Sequence, residues 1–404
     1  MRPHGRRPWS VRGLLSAPAA LRFVLLVGAM SFFADFTYEG SRSLVGQYLA
    51  RLGMGAFGVA AVGGLGELLG YALRLPSGRL ADATQRYWPV TIFGYVLQMS
   101  VVPLLAWAGS WPVAAALVVL ERVGKATRNP PRDAMLAHAA RDIGYGWAFG
   151  VHEALDQFGA TFGPLLAALV LAAGRGDYRL AFAALAVPAA MTLSLLFVAR
   201  RQYPRPEDLS AGPPAVTGAG LPGVFWLYLT AAALVGAGFA DFPLIAFRLQ
   251  RSGTVPTDLV PVYYAVAMAV SGAGSLVFGR LYDRRGFGVL VPLTVVAAAY
   301  APLAFLGGFW PALGGAALWG VGMGVTESII PAAVAPMVAE DRRASAYGLF
   351  TAVYGGAWFL GSLAIGALFA RSPAGAALFC VVVQLAAAAL LLRVRHRARA
   401  GATA

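Results

Sequence analysis

Apolar residues along this chain gather into runs of about 20 or more, broken by short polar stretches, with no period-2 alternation to suggest strands. Twelve runs stand out, near 21–48, 56–78, 87–108, 111–136, 144–173, 178–199, 222–249, 257–280, 287–308, 309–337, 343–371 and 373–392. The joining loops are short and rich in Gly, Pro and Arg. One polar stretch is longer, RQYPRPEDLSAGPPAVTGAGLP at 200–221, a Pro/Gly-rich linker that divides the runs six and six. The pattern predicts an all-α integral membrane protein of twelve transmembrane helices in two six-helix halves. The expected units are an N-terminal tail 1–20, a bundle 21–199, the linker 200–221, a second bundle 222–394 and a C-terminal tail 395–404.

Composition fits that reading. The chain has 404 residues, 59% hydrophobic and 12% charged, with mean hydropathy +0.67. Soluble domains carry about 25% charged residues, so a soluble fold is excluded. A net charge of +14 would ordinarily raise nucleic acid as a partner. Its distribution argues otherwise. Arg2, Arg6, Arg7 and Arg12 precede the first run, Arg79 and Arg86 follow the second, and Arg128, Arg132 and Arg141 flank the end of the fourth. Arg200, Arg201 and Arg205 lie in the linker, and Arg393, Arg395, Arg397 and Arg399 follow the last run. By the positive-inside rule both termini are cytoplasmic, and a bacterial inner membrane is the expected location. The basic N-terminus lacks a small-residue cleavage site, so the first run reads as a retained helix. Cys380 is the single cysteine, which rules out an intrachain disulfide and a Cys-based metal site. No phosphate loop, His-Glu-x-x-His or Gly-x-Ser-x-Gly occurs, so neither an enzyme nor a cofactor or metal is expected.

The halves repeat each other. Phe33-Ala34-Asp35-Phe36 recurs as Phe239-Ala240-Asp241-Phe242, and Gly78-Arg79-Leu80-Ala81-Asp82 recurs as Gly279-Arg280-Leu281-Tyr282-Asp283. Gly124, Gly150 and Gly163 recur at one offset as Gly322, Gly348 and Gly361. These matches in order indicate duplication of a six-helix unit, as parallel repeats.

Twelve helices in two such halves, with a basic turn after helices two and eight, resemble the major facilitator superfamily over essentially the whole chain. Gly279-x3-Asp283-Arg284-x-Gly286 is similar to that family's loop motif. Its first copy, Gly78-x3-Asp82 with Arg86, departs at Ala83 and Gln85. The resemblance implies a gating latch there. Gly150-x8-Gly159-x3-Gly163-Pro164 is similar to the fifth-helix signature of the family's proton-coupled exporters, with Ala167-Ala168 replacing the closing glycine pair. It implies a bend against a close-packed neighbour, and export. The run from Glu121 to Ala134 resembles a poorly characterised bacterial and archaeal branch.

Ionisable residues inside the runs are the candidate chemistry, because charge at membrane depth is costly and persists where a cavity needs it. Runs three, six, nine and twelve have none in their apolar interiors, and in the resembled fold those face lipid. The first run carries Asp35, Glu39 and Arg42, at i, i+4 and i+7 on one face, where Glu39 and Arg42 can pair. Glu67, Tyr71 and Arg74 repeat this spacing in the second. In the fourth, Glu121, Lys125 and Arg128 share a face and Arg122 points about 100° away. The fifth has His152 and Asp156 at i and i+4, beside Glu153 and Gln157; Asp241 and Glu327 follow in runs seven and ten.

If Pro130-Pro131 ends the fourth helix, Arg122 lies about 12 Å from the cytoplasmic end and Glu153 about 13 Å, at 1.5 Å per residue. Arg122 then meets Glu153 and Asp156 at one depth. Either these acids form a static buried pair, or one of them carries a coupling proton that Arg122 or Lys125 displaces, with His152 nearby. Asp35, Glu39, Arg42, Glu67, Asp241 and Glu327 are cavity and solute candidates. Arg42 and Arg122 can meet an anion, the acids a cation, and Glu327 can instead cap a kink. Arg74, Arg128 and Arg132 are expected to snorkel to headgroups, and Trp107, Trp111, Trp310 and Trp319 to anchor the interface.

The functional expectation is a monomeric secondary transporter exporting a small molecule in exchange for protons, with lipid as its other partner. Import of an organic anion with protons is the alternative, and a non-transporting membrane receptor the alternative of another class.

Overall fold

In a computed structural model the described residues are 19–84, 86–143, 145–205, 221–326, 330, 334, 337 and 343–401; they are largely helical, and no strand occurs among them. The first six runs become α1 (Ala19–Arg51), α2 (Ala56–Ala72) with α3 (Arg74–Thr84), α4 (Tyr87–Leu104), α5 (Trp111–Ile143), α6 (Tyr145–Ala173), and α7 (Tyr178–Ala184) with α8 (Ala186–Gln202). The last six become α9 (Gly223–Ala237) with α10 (Phe242–Arg251), α11 (Val260–Arg285), α12 (Leu290–Ala298) with α13 (Tyr300–Leu306), α14 (Phe309–Gly324), α15 (Arg343–Arg371) and α16 (Pro373–Gly401). Among the described residues, nine helical stretches are long and apolar enough to cross a membrane.

Helix ends sort into two sides. At one, Trp88 donates to the Tyr203 carbonyl at 2.9 Å and Phe23 stacks edge-on against Tyr203, joining the start of α1 and α4 to the end of α8. We call this the near end. At the far end Arg51 donates to the Gly176 carbonyl at 3.0 Å, and Phe247, Phe305 and Phe369 meet. The turn between α6 and α7 is tight, with Arg175 and Gly176 both at positive φ, and Asp177 caps α7 by accepting from the Arg179 amide at 2.8 Å.

Charge-free runs do face outward. Phe93, Val187, Met191, Phe197, Val295, Val296, Leu378 and Val382 are exposed, from runs three, six, nine and twelve. In water such a surface would be unfavourable by about 25 cal/mol per Å²; lipid removes that cost.

Within the first six runs, α1 and α6 form the closest pair. A Cβ on Gly159 would strike the Phe32 carbonyl, and one on Gly163 the Phe36 carbonyl, so these backbones touch along a glycine stripe. Gly361 meets Ala237 the same way in the other half, α15 on α9, which is the structural counterpart of the sequence repeat. Pro164 lies inside α6, which continues to Ala173.

Three expectations need correction. Pro130 and Pro131 do not end the fourth helix: α5 runs on to Ile143. The seventh run is not one helix, because Gly238, Phe239, Ala240 and Asp241 interrupt it between α9 and α10. Tyr300 and Trp319 satisfy that broken backbone, Tyr300 Oη accepting from the Ala240 amide at 2.6 Å and Trp319 Nε1 donating to the Ala240 carbonyl at 2.8 Å. Trp319 is therefore a fully buried brace, not an interface anchor; Trp107, Trp111 and Trp310 are exposed.

Candidate functional site

Where the first six runs face the last six, the far end is closed by backbone contact. A Cβ on Gly46 of α1 would collide with the carbonyl of Pro243 on α10, and Gly366 of α15 rests on Ala60 and Phe57 of α2. On the near-end side of that contact a cavity of about 650 Å³ lies between the two sets. Among the described residues its charged wall comes from α1, α3, α5 and α6, and the last six runs contribute the uncharged Met268, Ser275 and Thr326.

The ionisable side chains form two connected groups. In the deeper one, Arg42 donates to Asp241 and, at 3.0 Å, to Glu67, which also accepts from Arg122 at 2.8 Å. Glu39 stands 4.0 Å from Arg42, an outer-limit ion pair, and accepts from Tyr264 of α11. Two polar links thus cross between the halves, Arg42 to Asp241 and Glu39 to Tyr264. Asp241 occupies the N-cap of α10, where it also accepts from the Phe242 amide at 3.0 Å. Gly63 and Gly66 make room: a Cβ at the first would press on Asp241 and at the second on Arg122. Neither glycine was legible as part of the site; their spacing in a run of small residues was the available signal.

The second group lies nearer the opening. Asp35 accepts from Arg128 at 3.3 Å, and Lys125 stands 3.9 Å from Asp35 and 3.8 Å from Glu39. Arg128 is fully buried, also donating to Gln98 at 2.6 Å and Tyr95 at 2.9 Å. Glu121 accepts from Gln98 at 2.9 Å and lies 4.0 Å from Arg122. Arg132 donates to Asp133 at 2.8 Å and to Ser31 at 3.2 Å. Ser31 in turn bonds His152 Nε2 at 2.9 Å, and His152 Nδ1 faces Asp156 at 3.5 Å. Where Ser31 donates to Nε2, the imidazole proton sits on Nδ1, toward Asp156. Gln157 donates to Glu153 at 2.9 Å.

The predicted meeting of Arg122 with Glu153 and Asp156 does not occur. Arg122 belongs to Glu67, and Lys125 to Asp35 and Glu39. The depth expected for Arg122 depends on a helix end at Pro130 that does not exist. Nor do Arg128 and Arg132 snorkel: both are buried and bonded to protein. Only Arg74 of the three is exposed, its guanidinium over the Tyr71 ring at 5.1 Å. Glu327 lies outside the described residues, as do the side chains of Asp82, Gly150, Gly279, Asp283 and Arg284 in the glycine and loop motifs. A Cβ on Gly78 would meet Pro130 inside α5, and Arg86 is exposed.

Over residues 24–362 the sequence matches the Major Facilitator Superfamily. The chain belongs to that family. An uncharacterised protein of Mycobacterium tuberculosis is 40% identical over 94% of both chains. An uncharacterised MFS-type transporter of Methanocaldococcus jannaschii is 25% identical over 91% of this chain and 94% of its own. Among solved structures the fold is similar to a point-mutant form of the nucleoside transporter NupG (TM-score 0.73, 12% identity, 91% of this chain and 99% of that one). It is equally similar to a POT family transporter in complex with 5-aminolevulinic acid (TM-score 0.73, 12% identity, 92% and 95%). A family of secondary transporters, not of enzymes, is the setting for this cavity.

Proposed function

We propose that this family member is a proton-coupled exporter of a small solute, working by alternating access as the bundles 21–199 and 222–394 rock about the cavity. The observation that carries alternating access is the asymmetry of closure. Gly46 against Pro243 and Gly366 against Ala60 seal the far end, while the charged cavity lies on the near-end side of that seal. With both termini cytoplasmic, as the arginine distribution indicates, this is an inward-facing form in a bacterial inner membrane.

Asp156 is the proton carrier in this reading. It lines the cavity, its Oδ1 has no hydrogen-bond partner among the described residues, and its neighbour across 3.5 Å is an imidazole rather than a fixed guanidinium. A largely buried carboxylate with no guanidinium in direct contact gains from taking up a proton, and His152 is its direct neighbour. Glu153, by contrast, is exposed and held by Gln157. The exporter direction rests on the Gly159-x3-Gly163-Pro164 pattern of α6, which packs that helix directly on α1.

Purified protein in vesicles containing a pH-sensitive dye tests the reading. Solute-dependent proton efflux from acid-loaded vesicles supports exchange; entry of solute and protons together supports the importing symporter; no coupled flux across a broad solute panel supports a receptor and overturns the proposal.

A further inference from the structure

Which cations of the cavity remain for a ligand follows from how the others are used. Arg42 is taken by Asp241 and Glu67, Arg122 by Glu67, Arg128 by Asp35, and Arg132 by Asp133. Two remain. Arg74 has no ion pair among the described residues and lies exposed over the Tyr71 ring. Lys125 stands 3.8 and 3.9 Å from its two carboxylates, outside hydrogen-bond distance, with its ammonium 3.5 Å from the centre of the Tyr38 ring. Both side chains line the 650 Å³ cavity and also a smaller recess beneath it. On the opposite wall of that recess, Met323 and Trp358 offer an apolar face; Trp358 is buried and its Nε1 has no acceptor among the described residues.

We propose that Arg74 and Lys125 form the recognition site for the anionic group of the solute, a carboxylate or phosphate ester on a flat apolar body that packs against Met323 and Trp358. This deepens the transporter reading above and rests on it. A guanidinium stacked on an aromatic ring keeps its fork of donors directed outward, the geometry that suits a two-oxygen acceptor. The ammonium adds a second, adjustable point charge. A cationic solute fits poorly, because Asp35, Glu67 and Asp241 already hold guanidinium groups that would have to be displaced, and Glu39 accepts from the Tyr264 hydroxyl. The roles first open to Arg42 and Arg122 as anion receptors therefore pass to Arg74 and Lys125.

The test is equilibrium binding to the full chain in detergent, with radiolabelled benzoate and three competitors of the same body: phenyl phosphate, neutral benzamide and cationic benzamidine. Saturable benzoate binding is expected, displaced by phenyl phosphate and not by the other two. Arg74→Gln and Lys125→Gln should each weaken it about tenfold or more, the loss of a charge-assisted hydrogen bond. Arg74→Lys should recover part of the loss, and Arg22→Gln, outside the cavity, should change nothing. Variants that bind like the parent, benzamidine competing as well as phenyl phosphate, or no saturable binding in the series overturns the assignment. Because the assay needs neither a gradient nor transport, binding that behaves as expected in a protein that moves nothing would fail only the transporter reading. Transport that survives while these anions do not bind would fail only the anion site.

Discussion

Arg42 on α1 and Asp241 at the N-cap of α10 are joined by a buried ion pair that ties the first half of the bundle to the second, both side chains nearly inaccessible. Asp241 can reach Arg42 because the helix is broken just before it and because Gly63 on α2 leaves space beside its carboxylate. Breaking one partner of a buried pair leaves an uncompensated charge, at a cost of about 3–5 kcal/mol. Here that cost falls on the far-end-closed form. Asp241→Asn and Arg42→Gln should therefore shift the population toward opening at the far end. Spin labels at positions 51 and 251, at the far ends of α1 and α10, report it: a longer mean distance in either variant is expected, and an unchanged distribution would remove the pair from the gate.

Gly46 predicts a steric version of the same shift. Any Cβ there meets the Pro243 carbonyl, a backbone atom that cannot rotate aside. Gly46→Ala should hold the far end apart, with lengthened 51–251 distances and slowed solute exchange, without removing any charged side chain.

Gly159 and Gly163 carry a different penalty, because they pack α6 on α1 inside one half. Overpacking of this kind costs about 1–3 kcal/mol. Gly163→Ala should lower the apparent unfolding midpoint in detergent without altering the 51–251 distance, which separates a packing glycine from a gating one.

Arg128 is fully buried and bonds Asp35, Gln98 and Tyr95. Arg128→Met strands Asp35 with only the distant Lys125 ammonium, and a loss of about 3–5 kcal/mol in stability is expected. A thermal midpoint equal to the parent's would show that the network does not hold the fold.

The architecture was largely legible in the sequence, and the wiring of its charges was not. Run length and the absence of charge from the interiors of runs three, six, nine and twelve carried the bundle and its lipid face, because the bilayer constrains both directly. Helical spacing foretold His152 opposite Asp156 and Glu153 beside Gln157, since i and i+4 are local. Partners on different helices depend on rotation and depth. For those the chain offered one ruler, Pro130-Pro131, and the helix runs through it. The break before Asp241 does have a local sign: an aspartate followed by Pro243 is a helix start, even inside an apolar run. Trp319 looked like an anchor at a segment end because nothing local records that its indole braces a broken backbone in another helix.

Asp156 as the proton carrier is the claim on which the account depends most. Vesicles holding Asp156→Asn, a pH dye inside and a trapped exchangeable solute, test it directly. Gradient-driven movement of solute and the accompanying proton signal should both be lost, while solute-for-solute exchange continues at close to the parent's rate. If the variant still couples solute to the proton gradient, the account is wrong.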